Sequence, residues 1–171
     1  MTLSIKIWPD PILNKVCSAV PENEIGGTKT MELSSEMLRL MYEKQGIGLA
    51  APQVGVLLRM FVVDVWWPNT GTRRGRVFIN PVLTDITDEE FVRTREGCLS
   101  LPGVSDYVSR KRSVRVDAMD EFGTPFTLYA DGLQGVCIQH EYDHLEGITL
   151  AEKFDRNARR LLKKQFSKKG T

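Results

Sequence analysis

Histidine is almost missing from this 171-residue sequence, with only two in the chain. Cysteine is scarce and odd in number (Cys17, Cys98 and Cys137), which excludes a fully paired disulfide framework and points to a reducing compartment. Long hydrophobic runs are absent. The longest, Met60 to Trp67, is broken by Asp64 and falls far short of the roughly 20 apolar residues a membrane helix needs. The first ten residues lack a basic stretch followed by an apolar one, so the expectation is a cytoplasmic protein without a secretory signal. No repeat, low-complexity tract or Pro/Gly/Ser linker divides the chain, so one domain is expected over 1–171. Neither sign of charge dominates, with 23 Lys and Arg against 22 Asp and Glu. That balance hides an asymmetry. Residues 156–171 carry seven of the basic residues and no acidic one, so a basic C-terminal tail follows an acidic body.

The composition that remains, 42% hydrophobic and 26% charged, is that of a folded globular chain. Leu33, Met37, Leu40 and Met41 are spaced for a helix over about 30–45. The stretch 59–66 is β-rich and almost wholly apolar, which predicts a buried strand, and 76–80 predicts another after a turn at Pro68–Gly71. Residues 113–120 and 126–130 flank turn chemistry and predict a hairpin. Asp131 is placed to cap a helix over 132–146 that Gly147 would end, and the tail from 156 to about 167 reads as helix with Leu161, Leu162 and Phe166 as its apolar residues. Strands adjoin one another in sequence. The expected class is therefore α+β: small antiparallel sheets packed around a central helix, with a further helix at the C-terminus.

Both histidines fall in His140-Glu-Tyr-Asp-His144 on that central helix. Residues i and i+4 share a face about 6 Å apart, so both imidazoles reach one metal ion. Glu141 sits about 100° round the helix, close enough to handle a proton of a reacting water without being a ligand. Two histidines need a third protein ligand, because catalytic sites of this kind keep three and one open position. Downstream there is no histidine, and the tail after Asp155 has no carboxylate, so the third ligand is expected upstream. Cys137 shares a face with His140 but lies seven residues from His144, about 10.5 Å along a helix axis, and so suits a wall of the site better. Cys17 reads as an ordinary buried thiol. Cys98, in Glu96-Gly-Cys-Leu-Ser-Leu-Pro-Gly103, sits where glycines and proline let a strand edge bend toward a metal.

A third segment, Gly46-Ile-Gly-Leu-Ala-Ala-Pro-Gln53, has small side chains around one polar residue. Alone it describes a structural turn as well as a ligand-approaching loop. Taken in order, this loop, Glu96-Gly-Cys-Leu-Ser100 and Gln139-His-Glu-Tyr-Asp-His-Leu-Glu-Gly147 resemble the three signatures of the peptide deformylase family. The similarity runs from about Ile7 to Phe154.

The resemblance implies a hydrolase that removes the formyl group from the N-terminal formylmethionine of new polypeptides. It implies Cys98, His140 and His144 as metal ligands, with Fe²⁺ as the metal and Ni²⁺ or Zn²⁺ able to replace it. Glu141 would be the general base and acid, and the Gln53 amide with the Leu99 N–H would receive the oxyanion. Ile47, Leu133, Val136 and Cys137 would line the methionine slot, and backbone groups of Ile47 and Gly48 would meet the substrate main chain. Glu96 and Arg110 would form a supporting ion pair, and Asp143 is either further support or a solvated helix residue. Arg95 replaces an acidic residue common in relatives, which changes the charge at the substrate entrance. The basic tail reads either as a solvated helix or as a ribosome-docking element. Two other readings share part of this pattern. A metallopeptidase would leave Cys98 unexplained, and a structural-metal module that binds RNA would leave Glu141 without a purpose.

Overall fold

Two strands that are apolar on both sides organise the molecule. The computed structural model describes residues 3–85 and 90–167. Helix α1 (Thr28–Glu43) leads to strands β1 (Gly48–Ala50) and β2 (Met60–Val63), a single-turn helix α2 (Trp67–Thr70) and strand β3 (Arg76–Asp85). Strands β4 (Phe91–Cys98), β5 (Leu101–Lys111), β6 (Ser113–Met119) and β7 (Pro125–Asp131) precede the long helix α3 (Gly132–Leu145), the short α4 (Leu150–Lys153) and the C-terminal α5 (Arg156–Ser167). One sheet has the order β1-β2-β3-β6-β7, the other is the β4-β5 ribbon, and every pairing in both is antiparallel.

The alternation of side chains along β2 and β3 explains why these strands read as continuous apolar runs. Met60, Val62, Val77 and Ile79 pack with Met37, Leu40 and Met41 of α1. Phe61, Val63 and Phe78 face the other way and pack with Ile138 and Leu145 of α3. Helix α3 is buried along most of its length, from Gly135 through Glu141. This places ionisable side chains inside the protein, where pairing, a metal or loss of the charge must compensate burial.

The expected class and the central helix are as predicted, with local differences. The apolar strand ends at Val63, because Asp64 turns inward and Trp66 begins the turn of helix that Gly71 closes in a left-handed conformation (φ 68°). Strand β3 continues to Asp85 past an irregularity at Asn80 and Pro81, where the Asn80 side chain bonds both backbone groups of Val20. Asp131 stands at the N-cap position of α3 but forms no capping bond. Gly147 does end the helix region: its φ is 71°, and a Cβ there would lie 2.7 Å from the Asn14 carbonyl oxygen.

A third apolar cluster joins Trp8, Leu13, Leu101, Val108, Leu150, Phe154, Leu162 and Phe166, and it fastens α5 to the body. Trp8 and Phe166 meet edge-to-face with centroids 5.7 Å apart. Leu161 departs from the expectation: it is 63% exposed, on the solvent side of α5. Lys168 and Lys169 of the basic tail lie outside the described residues. Among the described residues no helix is long and apolar enough to cross a membrane.

Candidate metal centre

Helix α3 and the end of β4 converge on one point. His140 and His144 stack edge-to-face along one side of α3, with ring centroids 5.1 Å apart. Cys98 ends β4, where the β4-β5 register shifts between Gly97 and Cys98, and this irregularity turns its thiol toward the helix. The Cys98 Sγ lies 3.4 Å from His144 Nε2. The donor atoms of Cys98, His140 and His144 all lie within 4.8 Å of one another, the spread expected of ligands around one ion.

The surroundings fit a cation. Buried Glu96 accepts two hydrogen bonds from Arg110, from Nε and Nη2 at 2.8 Å each, and its Oε2 lies 2.9 Å from His140 Nδ1. This fixes the ring and leaves Nε2 of His140 for the metal. Burial alone would raise the Glu96 carboxyl, but hydrogen bonds from Arg110 and His140 outweigh it and hold the group at about 2. Burial lowers His140, yet hydrogen bonds and charge from Cys98 and Glu96 raise it well above its ordinary value, so its surroundings favour positive charge. Burial, with His140 and Arg110 nearby, pushes His144 well below its ordinary value and keeps it in the neutral form that binds metal. The Glu141 carboxyl is driven up to about 7 by burial, its Oε2 has no hydrogen-bond partner among the described residues, and it lines the cavity.

Gln53 comes from the small-residue loop, which forms β1 and a 3₁₀ turn at Ala51–Val54. Its Oε1 accepts the Ala50 N–H at 2.8 Å, which orients Nε2 toward Cys98 Sγ (3.4 Å) and Ser100 Oγ (3.1 Å). Gly48 packs directly under Glu141, where a Cβ would lie 2.3 Å from Glu141 Oε1. A cavity of about 690 Å³ opens above the donors, lined by Ile47, Gly48, Gln53, Glu96, Cys98, Leu99, Leu133, Val136, Cys137, His140 and Glu141 among others. Leu133 is half exposed at its rim, and Val136 and Cys137 are buried in its wall. The Ile47 carbonyl accepts the Asp64 N–H at 2.8 Å and faces the Cys137 thiol at 3.6 Å.

Several supports escaped the sequence reading. Asp64 is buried and accepts from Tyr42 Oη and from the Trp66, Trp67 and Arg74 N–H groups. Trp67 Nε1 donates to the Gly46 carbonyl at 2.8 Å, so the first residue of α2 braces the small-residue turn. Asp143, which the sequence left as either further support or a solvated helix residue, bonds Arg110 and pairs with Lys153 at 3.1 Å, so it stands on the supporting side. Cys17 lies buried away from the cluster, with its thiol raised to about 11 by burial.

Comparison with known proteins agrees with this geometry. The family model for polypeptide deformylase matches residues 2–160. A peptide deformylase from Thermodesulfovibrio yellowstonii is 42% identical over 98% of both chains, and one from Neisseria meningitidis is 40% identical over 98% of this chain and 95% of its own. The crystal structure of the peptide deformylase of Ehrlichia chaffeensis in complex with actinonin superposes with a TM-score of 0.89, at 34% identity, covering 99% of this chain and 98% of that one. Neither a metallopeptidase nor an RNA-binding module is favoured by these matches. Sequence, fold and the meeting of three donors beneath one cavity agree, and the chain belongs to the polypeptide deformylase family.

Proposed function

We propose that this chain is a metal-dependent hydrolase that removes the formyl group from the N-terminal formylmethionine of newly made polypeptides and releases formate. The observation that carries the proposal is the convergence of Cys98, His140 and His144 beside Glu141 and the Gln53 amide. A divalent metal held by those three residues would make water more acidic and polarise the formyl carbonyl. We propose Fe²⁺ as that metal, with Zn²⁺ or Ni²⁺ as substitutes, since a thiolate and two imidazoles suit all three.

The residues divide the remaining work. Glu141 Oε2 takes the proton of the attacking water and returns it to the leaving amine; its pKa near 7, raised by burial, suits both directions. Gln53 Nε2 and the Leu99 N–H donate to the oxyanion as it forms, and the bond from Ala50 holds the amide ready. Ile47, Leu133, Val136 and Cys137 enclose the methionine side chain and exclude water, while Gly48 makes room for the Glu141 carboxyl and the Cys137 thiol beside the cavity. Glu96 and Arg110 hold the His140 ring and stay out of the chemistry.

The proposal treats 1–171 as one catalytic domain acting in the cytoplasm, with 156–171 as a basic element that docks on the ribosome. Arg156, Arg160 and Lys163 are exposed while Leu162 and Phe166 are buried against the body. Reversing Arg160 and Lys163 to Glu would weaken salt-sensitive ribosome binding, and unchanged binding would remove that part.

The activity test gives metal-loaded protein formyl-Met-Ala and unformylated peptides and measures formate and new amine. Formate from the formyl peptide alone is the expected result. Peptide-bond cleavage would replace this reading with a metallopeptidase.

A further inference from the structure

The cavity floor carries the reactive groups, but its rim has a charge that the chemistry does not use. Arg95, Glu96, Cys98, Cys137, His140 and Glu141 are the ionisable residues lining the cavity, and Arg95 is the exposed one among them. Its Nε donates to Ser105 Oγ across the β4-β5 ribbon at 2.9 Å. That bond tethers the guanidinium, and its Nη groups pair with no described residue. Acidic side chains nearby do not neutralise it. Asp106 stands opposite Glu96 in the β4-β5 register, whereas Arg95 stands opposite Tyr107, so Asp106 projects from the other face of the ribbon. Glu90 is taken by Arg112 at the far end of the ribbon. The positive sign continues along the same exposed face, where Arg93 lies 5.4 Å from the Tyr107 ring centroid.

We propose that Arg95 selects substrates with an acidic side chain at the third residue. The inference rests on the deformylase reading above. The register follows from strand geometry. Among the described residues β4 pairs only with β5, so its other edge is open to an extended peptide. Arg95 lies three residues before Cys98, about 10 Å along a strand at about 3.3 Å per residue. A peptide whose formyl group sits beside Cys98 covers the same distance by its third residue. Residues one and three of an extended chain project to the same side, so the third side chain follows methionine toward the cavity and meets Arg95 at the rim.

The test uses metal-loaded protein with formyl-Met-Ala-X amides in which X is Glu, Gln or Lys, so that no terminal carboxylate confuses the series. It also measures binding of the product peptides Met-Ala-Glu amide and Met-Ala-Lys amide by calorimetry. The expected order in kcat/KM is Glu, Gln, Lys, with about tenfold between the extremes, attraction and repulsion each contributing a factor of about three. The ratio should shrink between about 0.01 M and 1 M salt, as the screening length falls from about 30 Å to about 3 Å. Arg95→Gln should flatten the order, Arg95→Glu should invert it, and Arg95→Lys should retain part of it, with the change carried mainly by KM. Formate released at equal rates from all three peptides would overturn the proposal while leaving the deformylase reading intact. If no peptide yielded formate, the activity itself would fail, and the product-binding order would then decide the role of Arg95: Glu over Lys supports it, equality overturns it.

Discussion

Replacing Arg110 with Met should damage the protein in two measurable ways. The Arg110 side chain is 4% exposed and sits between Glu96, bound at 2.8 Å through two nitrogens, and Asp143. Methionine fills much of the space but leaves Glu96, itself buried, without its cationic partner. Asp143 is less affected because it keeps Lys153 and is partly exposed. Removing one member of a buried pair costs about 3–5 kcal/mol, mostly through the stranded charge. Glu96 also orients His140, and loss of such a support weakens metal affinity by about 10–100-fold. Urea unfolding of zinc-loaded protein at pH 7 reads the first effect, and competition with a chelator reads the second. Adding Glu96→Gln to Arg110→Met removes the stranded charge and should recover at least half of the lost stability, though not the zinc affinity. A variant within about 1 kcal/mol of the parent, or a double variant no more stable than Arg110→Met alone, would refute the reasoning.

Further outcomes follow from the same contacts. Gly48→Ala places a methyl group against Glu141 Oε1 and should lower kcat about 100-fold with metal content unchanged, checked by formate release and metal analysis. Gln53→Ala removes an oxyanion donor and should raise the barrier by about 3 kcal/mol, read in kcat for formyl-Met-Ala. The Glu96 carboxyl sits at about 2 in the folded protein against an ordinary 4.5, so its contribution is fully present above pH 4.5 and is lost as pH falls toward 2. Acid unfolding followed by fluorescence should lose part of its pH dependence in that window in Glu96→Gln. Deleting 156–171 removes Leu162 and Phe166 from the third apolar cluster and should cost about 3–6 kcal/mol in urea unfolding, from two buried side chains.

The parts visible in the sequence were those set by spacing. The i, i+4 histidines placed two ligands on one helix face, and their isolation in the chain sent the search for a third ligand upstream to Cys98. The apolar run 59–66 marked a strand buried on both sides, although its end at Val63 depended on Asp64 turning inward to the neighbouring Trp66 and Trp67 N–H groups and to the more distant Tyr42 Oη and Arg74 N–H. Contacts made across long separations were not legible. The brace from Trp67 to Gly46 spans 21 residues, and the bond from Gln53 to Ser100 spans 47, and neither has a local pattern. Asp131 shows the limit of local rules, since its position is that of a cap while its side chain makes no capping bond. Leu161 shows another, because helical spacing alone did not say which residues of α5 would meet Trp8.

The central claim is that Glu141 moves the proton while Cys98, His140 and His144 hold the metal. Formate release from formyl-Met-Ala by Glu141→Ala, with bound metal quantified in the same sample, tests it most directly. The account predicts one metal per chain retained and a rate reduced by about 10²–10⁴-fold. A fully metal-loaded variant that releases formate at the parent rate would contradict it.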